Sequence, residues 1–345
     1  MARFVVNGRF LGVTPPTGIQ RVARSFLIAA KATFGDDMTV VVPRRIDDPL
    51  ADIQAGLWRG PLSGLAWEQI HLPMMSRGAV TVSLANTGPV VAGTAALLVH
   101  DLAPLTNPEW FHRRMQIYSR ISLAAARRAD VVFAVSGTVA NALERRGVSS
   151  DRLRVVHPGI DDFFTPAPDS EVVRTCARLG ILAPYIVHVG SHDPRKNVAE
   201  AIRAHLAANA STPHQLVLVG SPQPNLTYVS QAPNPSNIWT GRLDDTALRA
   251  VLTGAHALVY PSFDEGFGLP PLEAHACGTP SIVSDIPALR ESAGRFATFV
   301  RLGDHDGWTS AICAAVRGDL TVAADPDESA RDSKREFVEA LRALA

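Results

Sequence analysis

The stretch HALVYPSFDEGFGLPPLEAHACGTPSIVSD, residues 256–285, predicts a strand, a glycine-rich loop, a helix and a second strand. Pro270 and Pro271 suit the first turn of a helix, and Gly278 suits the position just after its last residue. A strand, a crossover helix and a second strand form the βαβ unit of parallel sheets. This stretch therefore predicts an α/β fold.

The same alternation of short apolar strands and helical segments extends along almost the whole chain. Strands are predicted over residues 3–6, 38–42, 79–84, 96–100, 131–135 and 153–156 in the first half. In the second half they are predicted over residues 185–189, 215–219, 257–260 and 280–283. The helical period predicts helices over residues 18–31 and 109–129. This pattern predicts two doubly wound sheets in succession.

The length of 345 residues is typical of two domains. The best boundary is the segment DDFFTPAPDS, residues 161–170, because its two prolines stiffen an extended chain. We therefore predict Rossmann-like domains over residues 1–165 and 166–327, with their parallel sheets facing a central cleft where a ligand binds. Apolar residues at helical spacing predict a final helix over residues 328–345, with the N-terminal domain as a candidate for its packing partner.

The composition excludes several classes of protein. Hydrophobic residues make up 46% of the chain and charged residues 19%, which rules out a largely disordered protein. Thirty-three basic and 33 acidic residues give a net charge of zero, so we expect no nucleic-acid partner. The three cysteines are far apart in sequence, so we expect reduced thiols, no metal site and a cytoplasmic location. No apolar segment has the length of a membrane span.

Glu265 and Glu273 are the candidate functional carboxylates of the opening stretch. Glu265 is expected in the glycine-rich loop and Glu273 in the first turn of the helix that follows. Gly266 and Gly268 allow a ligand to approach backbone N–H groups, and a helix N-terminus favours a phosphate. The alternative is a glycine-rich turn with two surface acids, which are common in the first turn of any helix. Spacing alone leaves both interpretations open.

Arg195 and Lys196 follow a predicted strand in the segment VGSHDPRKN. Two cations at the start of a helix oppose the helix dipole, and a bound anion such as a diphosphate explains them better. The alternative is a solvated loop on an arginine-rich surface.

Two residues of the first half are further candidates. His100 ends a predicted strand, where it could bind a sugar hydroxyl or carry a proton, although a structural histidine is the alternative. Gly18 opens a helix whose backbone N–H groups could meet a phosphate, and a turn without a ligand explains it equally well. The Asp304-His305-Asp306 triplet resembles a metal-binding motif, but a polar surface loop is the preferred interpretation. The motifs of serine hydrolases, P-loop kinases and NAD enzymes are absent from the sequence.

The segment EGFGLPPLE resembles the E-x7-E motif of the retaining nucleotide-sugar glycosyltransferases of family 4, which have the GT-B fold. The similarity continues through ACGTPSIVSDIPALRE and includes TGIQRVA, VHD, VVHPGID, HVGSHDPRKN and TGRLDD in the order of the family. The PRKN loop is similar to that of a mannosyltransferase-like subset in surface-polysaccharide assembly. Ser191 is a departure, because many relatives have an arginine there.

The resemblance implies a role for each candidate residue. Arg195 and Lys196 would contact the donor diphosphate, Glu265 the donor sugar and Glu273 the ribose diol. His100 would lie near the transferring sugar. The remaining donor contacts would come from the backbone of Gly18, Phe267, Gly268 and Leu269.

The implied function is retaining, metal-independent transfer of a hexosyl group from a nucleotide sugar, with GDP-mannose as the first candidate and no cofactor. The acceptor would be a glycan or a lipid-linked oligosaccharide, and the N-terminal domain would bind it. Peripheral contact with the inner membrane face stays open. The alternatives are a UDP-sugar or deoxyhexose donor, a sugar-nucleotide epimerase of the same fold, and a non-catalytic sugar-nucleotide sensor.

Overall fold

The computed structural model describes residues 3–14, 16–43, 46–56, 63–221, 236–294, 296–322 and 329–345. By their contacts, the residues divide into two compact units. The first comprises Met1–Thr106, Arg113–Gly159 and Asp327–Ala345, and the second comprises Asn107–His112 and Ile160–Pro326. Within the described ranges, no helix combines the length and the apolar character that crossing a bilayer requires.

The described part of the first unit contains a parallel sheet of seven strands in the order β3-β2-β1-β4-β5-β6-β7. The strands are β1 Phe4–Asn7, β2 Met38–Pro43, β3 Ile53–Ala55, β4 Val80–Ser83, β5 Ala95–Val99, β6 Val131–Ala134 and β7 Leu153–Val155. The helices are α1 Gly18–Phe34, α2 Ser63–Ala66, α3 Leu72–Met75, α4 Ala103–Thr106, α5 Arg113–Ala126 and α6 Gly137–Glu144. The central strands are buried along their whole length, as expected for a parallel sheet covered on both faces.

The second unit repeats this architecture with a parallel sheet that has the order β10-β9-β8-β11-β12-β13 in the described residues. Its strands are β8 Tyr185–Val189, β9 Gln215–Val219, β10 Asn237–Gly241, β11 Leu258–Tyr260, β12 Ser281–Ser284 and β13 Ala297–Val300. Its helices are α7 Asp169–Leu179, α8 Val198–Asn209, α9 Asp245–Thr253, α10 Leu269–Ala276, α11 Pro287–Ala293 and α12 His305–Val316.

The strand order of each sheet reverses at one point. In the first unit the chain runs outward from β1 through β2 to β3 and then returns to β4 on the other side of β1. In the second unit the reversal lies between β8 and β11. Doubly wound sheets bind ligands beyond the carboxyl ends of the strands at such a switch point. The topology therefore marks one candidate binding position in each unit.

The last helix, α13 Ser329–Leu344, packs on the first unit. The Phe337 side chain is fully buried and lies against the rings of Phe26 and Phe133, with centroid distances of 4.9 and 4.6 Å. Ser333 Oγ accepts a hydrogen bond from the backbone N–H of His157. The C-terminal helix thus completes the core of a unit formed mainly by the first half of the chain.

Two parts of the chain differ in position from the sequence prediction. The first-half helix begins at Arg113 rather than near residue 109, because Asn107–His112 belongs to the second unit and contains the 3-10 turn Pro108–Trp110. The boundary between the two units falls after Gly159, just before the proline-containing segment 161–170. Phe164 of that segment is buried in the core of the second unit.

Candidate functional site

Glu265 lies in the loop that joins β11 to α10, at the carboxyl edge of the second sheet. The loop ends at Gly268, which has a φ of 100° and precedes the first helical residue, Leu269. A Cβ atom on Gly268 would lie 2.4 Å from a Leu289 side-chain carbon, so both conformation and space require glycine there. Phe267 is buried and anchors the loop. The quoted motif thus holds the carboxylate on a fixed, tightly packed turn.

Arg195 and Lys196 lie on the neighbouring loop, which follows β8. They end a short 3-10 turn, Pro194–Lys196, and Asn197 then takes a left-handed conformation before α8 begins. Because β8 and β11 flank the point where the strand order reverses, their loops meet at the switch point.

The carboxylate of Glu265 binds both cations. Lys196 Nζ lies 2.6 Å from Glu265 Oε1, and Arg195 Nη1 lies 3.0 Å from Glu265 Oε2. Lys196 also donates a hydrogen bond of 2.5 Å to the Tyr260 hydroxyl, and Arg195 donates one to the backbone carbonyl of Asp264. The third N–H bond of the Lys196 ammonium has no partner in the part of the chain that the structure describes. This group can therefore donate to a ligand.

The charges of this cluster decide the protonation state of Glu265. Burial alone would raise the pKa of Glu265, but the charges of Lys196 and Arg195 outweigh it and lower the pKa to about 2. Burial and the charge of Arg195 lower the pKa of Lys196, and Glu265 opposes this change. Burial raises the pKa of Tyr260, so the phenol stays protonated. Glu265 is thus a permanent anion with a cation on each oxygen.

Two glycines make room for the cationic loop. A Cβ atom on Gly190 would lie 3.3 Å from the Lys196 side chain, which runs directly past this position. Gly220 has a φ of 132°, and a Cβ atom there would lie 1.8 Å from the carbonyl oxygen of Gly190. Ser191, the residue that departs from the family pattern, donates a hydrogen bond to the Asp193 carboxylate. It therefore serves the conformation of the loop.

Glu273 lies deeper in α10 than the sequence predicted. The helix begins at Leu269, so Glu273 is its fifth residue and lies in the second turn rather than the first. The residue is buried, with 4% of its surface exposed. Burial raises the pKa of the nearby Cys277 thiol to about 11. A hydrogen bond with Thr253 opposes this rise, and the charge of Glu273 adds a smaller one.

Gly18 and His100 belong to the first unit, whereas the other candidate residues belong to the second. Gly18 is the first residue of α1, after a capping box formed by Thr17 and Gln20. His100 follows β5 and is buried. Its Nε2 atom donates a 2.7 Å hydrogen bond to the backbone carbonyl of Leu84, and burial lowers its pKa. The neutral ring therefore keeps Nδ1 as a hydrogen-bond acceptor.

Several residues around the second-unit cluster, which is the group formed by Arg195, Lys196 and Glu265, have no sequence motif that marks them. Tyr260 is the last residue of β11, a strand-end position that could have indicated its role. Trp110 stacks on the partly exposed ring of Phe263 at a centroid distance of 6.2 Å, and Asn107 donates a hydrogen bond to Asp264. These contacts place an aromatic pair beside the Glu265 loop. Sequence spacing gives no signal for them, because about 150 residues separate the two segments.

The Asp304-His305-Asp306 triplet has structural partners. Asp304 caps α12 by accepting a hydrogen bond from the backbone N–H of Gly307, and His305 Nδ1 lies 2.9 Å from a Glu200 oxygen. In the described residues, no group of three or more metal-ligating side chains is arranged around a common centre.

Parts of both halves of the chain match family models. Residues 183–317 match the family described as "Glycosyl transferases group 1", and residues 87–162 match "Glycosyltransferase Family 4". A similar solved structure is Anabaena HepE in complex with UDP and glucose, with a TM-score of 0.70 and 15% identity over 99% of this chain and 98% of that one. WaaG, a glycosyltransferase involved in lipopolysaccharide biosynthesis, gives a TM-score of 0.65 at 15% identity over 99% and 95%. The chain has the GT-B fold.

Curated relatives include two bacterial mannosyltransferases. This chain is 29% identical over 225 residues to the O-antigen chain mannosyltransferase RfbU of Salmonella typhimurium. The match covers 63% of this chain and 59% of RfbU. This chain is 31% identical over 209 residues to the serotype-specific mannosyltransferase WbdA of Escherichia coli, covering 56% of this chain. The chain spans 26% of the length of WbdA.

Proposed function

We propose that this protein is a retaining, metal-independent hexosyltransferase that moves mannose from GDP-mannose to a glycan or a lipid-linked oligosaccharide in polysaccharide biosynthesis. The observation that carries the proposal is the Lys196–Glu265–Arg195 cluster at the switch point of the second unit. It combines cations for a diphosphate with a fixed carboxylate for a sugar.

The cations are suited to the charge that develops in the reaction. Breaking the bond between the sugar and the diphosphate builds negative charge on the leaving phosphate. Lys196 and Arg195 are held in place before the reaction, so they stabilise that charge without reorganising. Stabilisation that is stronger in the transition state than in the ground state raises turnover. Fixed side-chain cations can thereby do the work that a divalent cation does in other transferases.

The surroundings of Glu265 support retention by front-face attack. Both of its oxygens contact a cation and its pKa is about 2, which makes it a weak nucleophile. In our proposal the bond from the anomeric carbon to the phosphate oxygen breaks on the face where the acceptor oxygen forms its new bond. The acceptor proton passes to the leaving phosphate oxygen. Glu265 then stabilises the positive charge that the sugar ring develops.

The other candidate residues have supporting roles in this proposal. The neutral His100 would accept a hydrogen bond from a sugar hydroxyl through Nδ1. Glu273 would bind the ribose diol. The backbone N–H groups of Phe267, Gly268 and Leu269 would hold the donor, and so would that of Gly18.

The similar proteins support two candidate donors. The similarity to mannosyltransferases of O-antigen synthesis supports GDP-mannose. The likeness to a structure with bound UDP-glucose supports a UDP-sugar as the second candidate. We further propose a cytoplasmic enzyme that makes peripheral contact with the membrane when its acceptor is lipid-linked, and that requires neither a cofactor nor a nucleic-acid partner.

A screen of the purified protein against GDP-sugars and UDP-sugars tests the function. Thermal shift measures binding, and mass spectrometry measures release of nucleoside diphosphate, each with and without EDTA. We expect selective stabilisation by GDP-mannose and slow release of GDP that EDTA does not change. Release that EDTA abolishes would contradict metal independence. Stabilisation without release in the presence of a mixed glycan acceptor pool would favour a sensor, and interconversion of free nucleotide sugars would favour an epimerase.

A further inference from the structure

A second buried polar cluster lies at the switch point of the first unit. We name it the switch-point cluster; its members are Asn7, Arg9, Glu68, Thr87 and Tyr118. Asn7 is the last residue of β1, and Thr87 follows the end of β4. Because the strand order reverses between these two strands, the cluster occupies the position where doubly wound sheets bind ligands.

Glu68 is the centre of this cluster and is fully buried. Its Oε1 accepts a 2.8 Å hydrogen bond from Asn7, and its Oε2 accepts a 3.1 Å hydrogen bond from the Tyr118 hydroxyl. Arg9 Nη2 lies 3.5 Å from the same Oε2 atom. Glu68 belongs to a π-helical turn, Trp67–His71, and such turns occur often at functional sites.

Arg9 is the member of the cluster that can reach a ligand. Its side chain is 27% exposed. Nη2 contacts Glu68 and the Thr87 hydroxyl, and the guanidinium also shares a hydrogen bond with the Tyr118 side chain. The guanidinium also lies over the Tyr118 ring, 5.0 Å from its centroid. Nη1 faces Gly64, where a Cβ atom would lie 2.9 Å away. These contacts orient the guanidinium and engage only some of its five N–H bonds, so the others can donate to a ligand.

The loop after β4 is held in place by hydrogen bonds that converge on this cluster. Thr87 accepts from Arg9 through its hydroxyl and from Asn7 through its carbonyl. Asn86, which has a φ of 64°, accepts a hydrogen bond from the backbone N–H of His100, and His100 Nε2 donates to Leu84. His100 therefore supports the loop that positions Arg9.

Ser83 supplies an independent indication of a ligand. It is the last residue of β4 and pairs in register with Asn7 across the switch point. Its Oγ atom is buried and has no hydrogen-bond partner in the described part of the chain. An unpartnered buried hydroxyl costs free energy unless a water molecule or a ligand satisfies it.

The two switch points of the protein share the same chemistry. In the second unit, the buried Glu265 accepts from a cation that also contacts the hydroxyl of Tyr260. In the first unit, the buried Glu68 forms an ion pair with Arg9 and accepts a hydrogen bond from the hydroxyl of Tyr118. Each sheet therefore ends in a carboxylate, a cation and a phenol at its ligand-binding position.

We infer that the switch-point cluster binds the acceptor glycan, with Arg9 donating its remaining N–H bonds to oxygens of an uncharged hexose. This inference rests on the proposed function and adds residues for the second substrate. Glu68 pairs with Arg9, so the cluster carries no excess positive charge. The site therefore suits hydroxyl and ring oxygens better than a phosphate, which needs an uncompensated cation.

Binding of methyl α-D-mannopyranoside and methyl α-D-glucopyranoside, followed by saturation-transfer NMR, tests the inference. We expect Arg9→Gln to weaken binding of the preferred glycoside at least about tenfold, the effect of losing a hydrogen bond from a charged donor. Arg9→Lys keeps the charge beside Glu68 but loses the additional N–H donors of the planar guanidinium. It should therefore retain the thermal stability of the wild type and lose affinity. Tyr118→Phe should weaken binding less, because its hydroxyl only helps to position Arg9, through Glu68 and through its own hydrogen bond with the guanidinium.

Lys31→Gln is the matched control, because it removes a 2.8 Å ion pair with Asp52 elsewhere in the first unit. It should bind the glycoside as the wild type does. Unchanged affinity in Arg9→Gln, or no binding of either glycoside by the wild type, would overturn the inference. Tighter binding of mannose 6-phosphate that depends on Arg9 would also overturn it. GDP binding is measured in parallel. If the wild type does not bind GDP, the proposed donor is contradicted, and the glycoside result stands by itself.

Discussion

Lys196 Nζ and Glu265 Oε1 lie 2.6 Å apart across the switch point of the second sheet, and both side chains are buried. One residue follows β8 and the other follows β11, so 69 positions in sequence separate them. Breaking a buried ion pair leaves an uncompensated charge, which is costly. This contact therefore links the stability of the second unit to the geometry of the candidate donor site.

We predict that Lys196→Ala and Glu265→Ala each lower turnover at least ~100-fold, the scale of losing one preorganised electrostatic group. Turnover is measured as release of nucleoside diphosphate at saturating donor, with circular dichroism to confirm folding. Arg203→Ala is the control, because it removes an ion pair with Glu200 on the partly exposed side of α8. Turnover close to that of the wild type in either folded site variant would contradict the assignment.

The approach of Gly220 to Gly190 gives a second prediction. An alanine at position 220 combines an unfavourable φ of 132° with a Cβ atom 1.8 Å from a backbone oxygen, so the Lys196 loop must move. We expect Gly220→Ala to weaken donor binding at least about tenfold, since one misplaced hydrogen-bonding cation accounts for that much. Calorimetric titration with GDP measures the effect.

Gly303→Ala is the matched variant for this test. Gly303 also has a positive φ, of 81°, but nothing lies within 4 Å of the added Cβ atom. It should cost about 1–2 kcal/mol of stability and leave GDP affinity unchanged. If the two alanine variants bind GDP equally, the close approach to Gly190 has no part in donor binding.

The strands that sequence patterning predicted are mostly those with apolar residues on both faces, although it also predicted the edge strand β7, whose Arg154 is exposed. β8 and β9 begin and end where the pattern placed them, and the central strands of the first sheet agree to within one or two residues. Three strands were not predicted: β3, β10 and β13. Each is an edge strand with partly exposed residues, so it lacks the continuous apolar run that marks a buried strand.

The second-unit cluster was within reach of sequence reasoning because each of its loops is a compact motif. The glycines around Glu265 and the paired cations Arg195 and Lys196 indicate an anion site from a few adjacent residues. The switch-point cluster of the first unit has no such signature. Asn7 and Glu68 are 61 residues apart, and Glu68 lies on a π-helical turn whose period no helical pattern detects. Only the fold brings these residues together.

The burial of the His205 ring predicts that the protein loses stability in mild acid. Its ring is buried between His214, 3.0 Å from Nδ1, and the Ser236 hydroxyl, 2.9 Å from Nε2, and His256 lies near His214. Burial, and next the charge of His214, lowers the pKa of His205 to about 4. When the pH is above 6.5, the ordinary pKa of histidine, the neutral His205 ring makes its full contribution to the free energy of unfolding. As the pH falls from 6.5 through 4, the unfolded chain binds the proton more readily and the free energy of unfolding decreases.

The test compares urea unfolding of the wild type and His205→Gln between pH 7.5 and pH 4. The variant should be less stable at neutral pH, because the glutamine fits the two hydrogen bonds less well. Its stability should fall less steeply over the acid range, by up to about 1.4 kcal/mol per pH unit for one titrating group. His188, whose pKa burial also lowers to about 4, titrates in both proteins and cancels in the comparison. Parallel pH profiles would show that His205 does not titrate in this range.

The last prediction concerns the C-terminal helix. Phe337 is fully buried between Phe26 and Phe133 and supplies the aromatic contact that joins α13 to the first unit. Phe337→Ala should lower the free energy of unfolding by about 3–5 kcal/mol, from lost burial and the cavity left behind. Glu339→Ala, on the exposed side of the same helix, should change it by no more than about 0.5 kcal/mol. If Phe337→Ala were as stable as Glu339→Ala, α13 would not contribute to the core.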